Sequence, residues 1–233
     1  MKKIILLIMV LCTYLTAACQ FEIGERFEYS VKLNFIKAGK SFIELQDVTT
    51  LREDTVYHIV SKTQTTGFLD RLFKIREHME SWVDCEELFT RKFYKDVDEV
   101  NYEKTFMADF CYADSVAVLK NGKEVRITTP VMDWLSMIYY LRGQDLFIDQ
   151  EIEMTFFDNN KFKNYSAFVV GMEEVEVDAG KFLCWVIEPS EKVREDMKHK
   201  NELVLYLSVQ PPKIPVKITS DAKFGTMILE LKK

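Results

Sequence analysis

The stretch Thr128–Gly143, TTPVMDWLSMIYYLRG, is the one clear helix signal in a chain that otherwise has the pattern of β-strands. Thr129 is a suitable N-cap, Pro130 fits the first helical position, and Gly143 can end the helix in a left-handed conformation. One apolar stripe is formed by Val131, Trp134, Leu135, Ile138 and Leu141. We therefore expect a helix over about 129–142 that packs this stripe against a sheet.

Outside this helix, apolar and polar residues alternate with the period of two that half-buried strands have. The first such run places Phe27, Tyr29, Val31, Leu33 and Phe35 on one face. Turns are predicted at Ala38-Gly39, Asn121-Gly122, Asp158–Lys161 and Ala179-Gly180, and a turn or short helix around Leu69–Phe73. Roughly fourteen strands result, and turns this short make consecutive strands antiparallel. We predict a mainly β fold: a single antiparallel, strongly curved sheet, barrel or sandwich with the one principal helix packed on it.

The N-terminus has the three regions of an export signal. Lys2 and Lys3 precede the apolar run IILLIMVLCTYL, and small residues follow at Thr16–Ala18. The run is too short to cross a bilayer as a helix, and no later segment is continuously apolar. We expect residues 1–19 to be the signal, cut after Ala18 or Cys19, and residues 20–233 to form a single mainly β domain. The product is periplasmic, or anchored to the membrane through a lipidated Cys19.

Charge and cysteine usage narrow the function classes. The net charge is −6, and removal of the signal with Lys2 and Lys3 leaves 29 basic against 37 acidic residues. Without a basic cluster the sequence does not favour nucleic-acid binding. The cysteines Cys85, Cys111 and Cys184 allow one disulfide or three buried thiols. The sequence contains no CxxC pair, so nothing in the cysteine spacing indicates a zinc site.

Several segments together resemble a known exported bacterial family. They are GERFEYSVKLNFIKAGKSFIEL, YHIVSKTQTTGFLDRLFKIREHMESWVD, PVMDWLSMIYYLR, AGKFLCWVIEP and IPVKITSDAKFGTMILEL. The most specific pieces are Gly24-Glu25-Arg26, Ala38-Gly39, the Asp133/Ser136/Tyr139/Arg142 spacing and Ile214-Pro215-Val216. In these pieces the chain is similar to the family known as domain of unknown function 3108. The resemblance implies an envelope protein of mainly β fold and no known activity.

Catalytic and cofactor motifs are sparse. His58, His78 and His199 lack the close spacing of metal ligands, so we expect no metal site. Ser136 lies within a helix rather than on the turn of a serine hydrolase, and no nucleotide-binding loop occurs. We therefore expect no cofactor and name no catalytic residue. A hydrolase acting on envelope polymers is the weakest of the alternatives.

The large aromatic residues are the strongest indication of a ligand. Trp82, Trp134, Tyr139, Phe156, Phe157 and Trp185 either line an apolar cavity with the helix across its mouth or fill a solid core. Arg142 opposes the helix dipole and is a candidate for a buried ion pair with Glu80 or Asp84. We predict a non-catalytic envelope protein that binds a lipid, another apolar ligand or an envelope protein through Trp82, Trp134, Tyr139, Arg142 and Trp185. The alternative is a structural or interaction protein with a filled core.

Overall fold

The computed structural model describes residues 20–72, 74–190, 203–222 and 225–233, so the predicted signal with Cys19 lies outside the described residues, as does His199. The N-terminal part forms β1 (Arg26–Leu33), β2 (Ile36–Leu51), β3 (Asp54–Thr65), α1 (Gly67–Leu72), β4 (Ile75–Asp84), β5 (Thr90–Glu99), β6 (Tyr102–Cys111), β7 (Val116–Leu119) and β8 (Glu124–Arg126). The C-terminal part forms β9 (Val131–Met132), α2 (Trp134–Gly143), β10 (Glu151–Asp158), β11 (Lys161–Val177), β12 (Gly180–Pro189), β13 (Leu203–Ser208), β14 (Pro215–Ala222) and β15 (Gly225–Leu231). The mainly β prediction is confirmed. Neither helix of the described ranges is long and apolar enough to span a membrane.

All fifteen strands belong to one sheet, in the order β8-β7-β6-β5-β4-β3-β2-β1-β15-β14-β13-β12-β11-β10-β9. It consists of two meanders that meet where β1 pairs antiparallel with β15. Short turns make almost every neighbouring pair antiparallel, as predicted. The exception is β9, which pairs parallel with β10 because α2 separates the two strands along the chain.

The sheet curls around α2. The main core combines inward side chains of β1–β4, of α2 and of β10–β15, among them Leu45, Ile59, Val169 and Leu205. Buried residues of the helix are Leu135, Ser136, Met137, Ile138, Tyr139, Leu141 and Arg142. The helix packs on the curved sheet as predicted, but the prediction of a single buried stripe was too narrow, because the sheet covers more than one face of α2.

Side chains close the gap between the two ends of the sheet. The outermost strands β8 and β9 do not pair with each other. Instead Phe157 of β10 is fully buried, with ring centroids 5.7 Å from Phe93 and 5.5 Å from Phe110. Lys95 of β5 lies 3.0 Å from Glu77 and 3.6 Å from Asp158 of β10. Burial would lower the pKa of Lys95, but the two carboxylates outweigh it and the pKa is raised.

Two turn predictions needed correction. The first hairpin turns at Asn34–Phe35, so Phe35 is 97% exposed and does not continue the buried face of β1. Gly39 lies within β2, where a Cβ would come 2.1 Å from the carbonyl oxygen of Gln64. The second correction is at Asn121-Gly122, a pair typical of two-residue hairpin turns. Four residues connect β7 and β8 there instead, and Gly122 has a positive φ of 78°.

The asparagine turn at Asp158–Lys161 lies where it was predicted, and the turn predicted at Ala179-Gly180 lies one residue earlier, at Asp178-Ala179, because Gly180 already pairs with Val177. Asn159 and Asn160 supply φ angles of 50° and 60° between β10 and β11. Asparagine tolerates this left-handed region better than most residues, so the two-residue connection is readable from sequence.

The turns lie at two opposite edges of the sheet, which we name by the nearer helix. The α1 end carries the turns β1–β2, β5–β6, β7–β8 and β10–β11, and α1 itself between β3 and β4. The α2 end carries the turns β2–β3, β4–β5, β6–β7 and β11–β12, together with residues 20–25. A side chain on Gly143, the last residue of α2, would meet Gln20 and Leu88 there.

Candidate functional site

The start of α2 is set by Asp133. Its carboxylate accepts hydrogen bonds from the amides of Leu135 at 2.8 Å and Ser136 at 3.2 Å, while the Ser136 hydroxyl accepts from the Asp133 amide at 2.8 Å. This capping box places the first helical residue at Trp134. Thr129 is therefore not the N-cap as predicted, because Val131 and the residue after it pair with β10 instead.

The same carboxylate fastens the helix to the sheet. The hydroxyls of Ser81 in β4 and Thr90 in β5 donate to it at 2.5 and 2.7 Å. Asp133, Ser136, Ser81 and Thr90 are all fully buried. Burial raises the pKa of Asp133, and these hydrogen bonds oppose that rise. A cluster sealed from solvent in this way holds α2 in place and offers no substrate site.

The last turn of α2 is held by an ion pair. Arg142 contacts both carboxylate oxygens of Glu25, at 2.5 and 2.8 Å, and its Nε donates to the Lys213 carbonyl at 2.7 Å. The Arg142 side chain is 1% exposed. The predicted partners were wrong, because Glu80 contacts histidines and Asp84 contacts Arg91. Gly143 does not close the helix in a left-handed conformation, since Gln144 is the C-cap with an extended backbone.

Two buried tyrosines flank this ion pair. The Tyr29 hydroxyl donates to the carbonyl of Pro215 at 2.9 Å. The Tyr139 ring lies 4.7 Å from the Arg142 guanidinium, and its buried hydroxyl makes no hydrogen bond of acceptable geometry to the described residues. Burial raises the pKa of both phenols, and the charge of Glu25 raises them further. Glu25, Arg142 and Pro215, which belong to three of the segments that carry the family resemblance, thus lie together at the end of α2.

The predicted ligand residues separate into two groups. Tyr139 lies in the main core, Trp134 and Trp185 pack against it, and Arg142 is buried beside Tyr139. Trp134 contacts Phe156 there, with ring centroids 4.4 Å apart. Trp82 lies on the outer face of β4, where its ring stacks on His58 at 4.6 Å. The structure therefore brings four of the five residues to one core and leaves Trp82 outside it.

A polar cluster on that outer face was not anticipated. His58 and His78 lie 2.8 and 3.2 Å from the two oxygens of Glu80. Alternate residues of a strand share one face, so the sequence could have indicated that His78, Glu80 and Trp82 lie together on β4. It could not have placed His58 beside them, because that depends on how β3 and β4 are aligned. Burial lowers the pKa of His78. Across the described ranges, no three or more His, Cys, Asp or Glu side chains converge as metal ligands would, and Cys85, Cys111 and Cys184 are not joined to one another by a disulfide.

The α1 end contains a small apolar cavity. Its volume is about 30 Å³. Apolar side chains from β1, β2, α1, β4 and β15 line it: Val31, Leu33, Ala38, Leu69, Ile75 and Met227. Leu69 covers it from α1, a six-residue helix without a buried residue. The cover of the cavity is therefore only lightly packed.

A polar latch holds α1 over the cavity. Both Asp70 oxygens accept from the Arg76 guanidinium, at 2.6 and 2.9 Å, and Thr65 donates to Asp70 at 2.7 Å. These hydrogen bonds lower the pKa of Asp70 to about 2. Sequence reasoning missed both the cavity and the latch, because their residues come from strands that are distant along the chain.

Comparison with known proteins supports the fold and the family. The chain is similar to a solved beta-barrel-like protein of domain of unknown function DUF1849 from Brucella abortus, with a TM-score of 0.55, 14% identity, and coverage of 91% of this chain and 96% of that one. At this identity the likeness shows the fold alone. A search of curated proteins gave no match. The profile of the family described as protein of unknown function DUF3108 matches residues 28–232, so the chain belongs to that family, as its sequence resemblance indicated.

Proposed function

We propose that the protein is a non-catalytic protein of the cell envelope that binds an apolar ligand at the α1 end. It is exported by the signal at residues 1–19, and it is either periplasmic or anchored through a lipidated Cys19. The observation that carries the proposal is the apolar cavity beneath α1. The polar groups around α2 support a non-catalytic role, because they are sealed from solvent or joined in an ion pair.

The ligand is a narrow apolar group such as the end of an alkyl chain. A cavity of about 30 Å³ is far smaller than the ~300–1,000 Å³ of sites for compact small molecules. A chain end can enter beside Leu69 if α1 moves outward, and α1 has no buried residue to resist this. The rest of the chain would then lie along the α1 end.

A long-chain alkylamine whose nitrogen carries a polarity-sensitive naphthalene fluorophore tests the proposal, because its alkyl end is narrow enough to enter the cavity while the fluorophore emits strongly only in apolar surroundings at the α1 end. We expect saturable binding to the folded wild type and competition by a long-chain alcohol. Leu69→Trp fills the cavity and should abolish saturable binding. Circular dichroism checks that the variant is folded.

Leu183→Trp is the matched control, because Leu183 is 51% exposed on β12, away from the cavity. This variant should bind as the wild type does. Absence of saturable binding to the wild type, or equal binding by Leu69→Trp, would overturn the proposal. Trp134→Ala tests the earlier prediction of a site around α2, since loss of binding in that folded variant alone would move the site there.

A further inference from the structure

Exposed apolar side chains are concentrated at the α1 end. Six of the thirteen large apolar residues exposed in the described chain lie there: Phe35 (97%), Ile36 (62%), Phe68 (72%), Leu72 (51%), Val100 (51%) and Tyr102 (45%). We call these six residues the apolar rim. Single exposed apolar residues are ordinary on a protein surface, but this concentration at one edge is not.

Strand register makes the apolar rim contiguous. Leu33 pairs with Ile36 at the β1–β2 turn, and Gly39 pairs with Thr65 just before α1. Ile75, just after α1, pairs with Glu99 just before the β5–β6 turn. The rim residues therefore project from three successive connections of six neighbouring strands.

Cations surround the apolar rim although the whole chain is acidic. Exposed basic residues at the α1 end that form no ion pair with the described residues are Lys37, Arg71, Lys104, Lys120, Lys123 and, at the β10–β11 turn, Lys161. The corresponding carboxylates there are Glu99, Glu103 and Glu124, since Asp70 and Asp98 are paired with Arg76 and Lys74. The opposite end carries exposed Glu22, Glu53, Glu86, Glu87, Asp114 and Asp178 against the exposed Lys232 and Lys233. The protein is thus electrically polarised along its strands.

From this arrangement we propose that the α1 end docks on the surface of an anionic lipid bilayer. Aromatic and aliphatic side chains at turn tips insert to the headgroup level, while neighbouring Lys and Arg side chains contact lipid phosphates. A protein interface would instead have an apolar centre depleted in lysine. Here Lys37 follows Phe35 and Ile36 directly, and Arg71 lies between Phe68 and Leu72. The proposal concerns the surface around the cavity and holds whether or not the cavity takes a ligand.

Vesicle flotation of the exported protein tests the docking. We expect binding to vesicles of phosphatidylcholine mixed with phosphatidylglycerol, weaker binding to phosphatidylcholine alone, and weakening by salt. The double variant Phe35→Ser/Phe68→Ser should lower binding to the mixed vesicles about tenfold or more, and so should Lys37→Gln/Arg71→Gln. Because all four side chains are exposed, both variants should remain folded.

Matched controls lie away from the α1 end. Met172→Ser/Leu183→Ser removes two exposed apolar side chains, and Lys232→Gln/Lys233→Gln removes two exposed cations. Both should bind as the wild type does. If a lipid on Cys19 anchored the protein, binding to neutral and to mixed vesicles would be equal, and the rim variants would not change it. That pattern would overturn the proposal. Absence of binding to mixed vesicles would overturn it as well. Leu69→Trp should keep vesicle binding, which separates this proposal from that of the apolar ligand.

Discussion

The α2 end and the α1 end are formed by the same strands but are stabilised in different ways. At the α2 end most side chains of the helix are buried, Glu25 neutralises Arg142, and hydroxyls of the sheet donate to the Asp133 carboxylate. At the α1 end a six-residue helix without buried residues is held by Asp70 and Arg76 at the surface. The α1 end is therefore the less firmly held of the two, as the binding proposed there requires.

The largest expected effect comes from Glu25→Gln. This substitution leaves the Arg142 guanidinium, whose side chain is 1% exposed, without a counter-charge. Breaking a buried pair on one side costs about 3–5 kcal/mol. Urea denaturation should show this loss in the free energy of unfolding. Glu28→Gln, at a side chain that is 53% exposed, should change it by less than about 1 kcal/mol, and equal effects would contradict the comparison.

Asp133→Ala should have the next largest effect. It removes the cap of α2 and leaves the Ser81 and Thr90 hydroxyls without their acceptor. We expect a loss of about 2–4 kcal/mol, measured by urea denaturation. Asp133→Asn keeps one acceptor oxygen and should lose less. If the alanine variant were as stable as the wild type, the buried cluster would not be what holds the helix.

Tyrosine substitutions give a smaller effect with a pH dependence. Tyr29→Phe loses the hydrogen bond to Pro215 and should cost about 1 kcal/mol, whereas Tyr139→Phe loses none. Burial raises the pKa of both tyrosines. Their contribution to stability is therefore complete below the ordinary tyrosine pKa of about 10 and is lost as the pH rises through the raised values. Either variant should move alkaline unfolding, followed by tyrosine absorbance, to higher pH, and an unchanged midpoint in both would contradict this reasoning.

The smallest effect is expected at the latch of α1. The pKa of Asp70 is lowered to about 2, so its contribution is present above the ordinary pKa of about 4 and is lost as the pH falls from there towards 2. Amide hydrogen exchange should report faster opening of α1 in that window, with little change at the α2 end. Asp70→Asn should exchange fast at both pH values. Protection of α1 that does not change with pH in the wild type would refute the latch.

Local features of the fold were predictable from the sequence. Alternation gave the strands, and Asn159-Asn160 gave a hairpin, because both depend on neighbouring residues only. The helix was found as well, but its start was misplaced, since Thr129-Pro130 is as good a start signal as Asp133 with Ser136. Contacts with the sheet decided between them, as Val131 pairs with β10.

The candidate site was less predictable, because its residues meet through strand register. Arg142 was expected to form a buried ion pair, and it does. Its partner Glu25 lies 117 residues away and could not be chosen from among the carboxylates. Phe35 was assigned to the buried face because the alternation of β1 continues through it, although the chain turns there. The cavity involves five separate elements and leaves no local pattern in the sequence.

The pairing of β1 with β15 has a consequence for how the protein folds. Tyr29 lies opposite Leu231, so the first of the described strands has the last of them as a neighbour. Arg142 of α2 also binds Glu25, which comes before β1, and the Lys213 carbonyl, which comes after β13. Contacts so distant along the chain are slow to form. A growing chain therefore cannot complete its interior, and the fold closes only after the last strand is present.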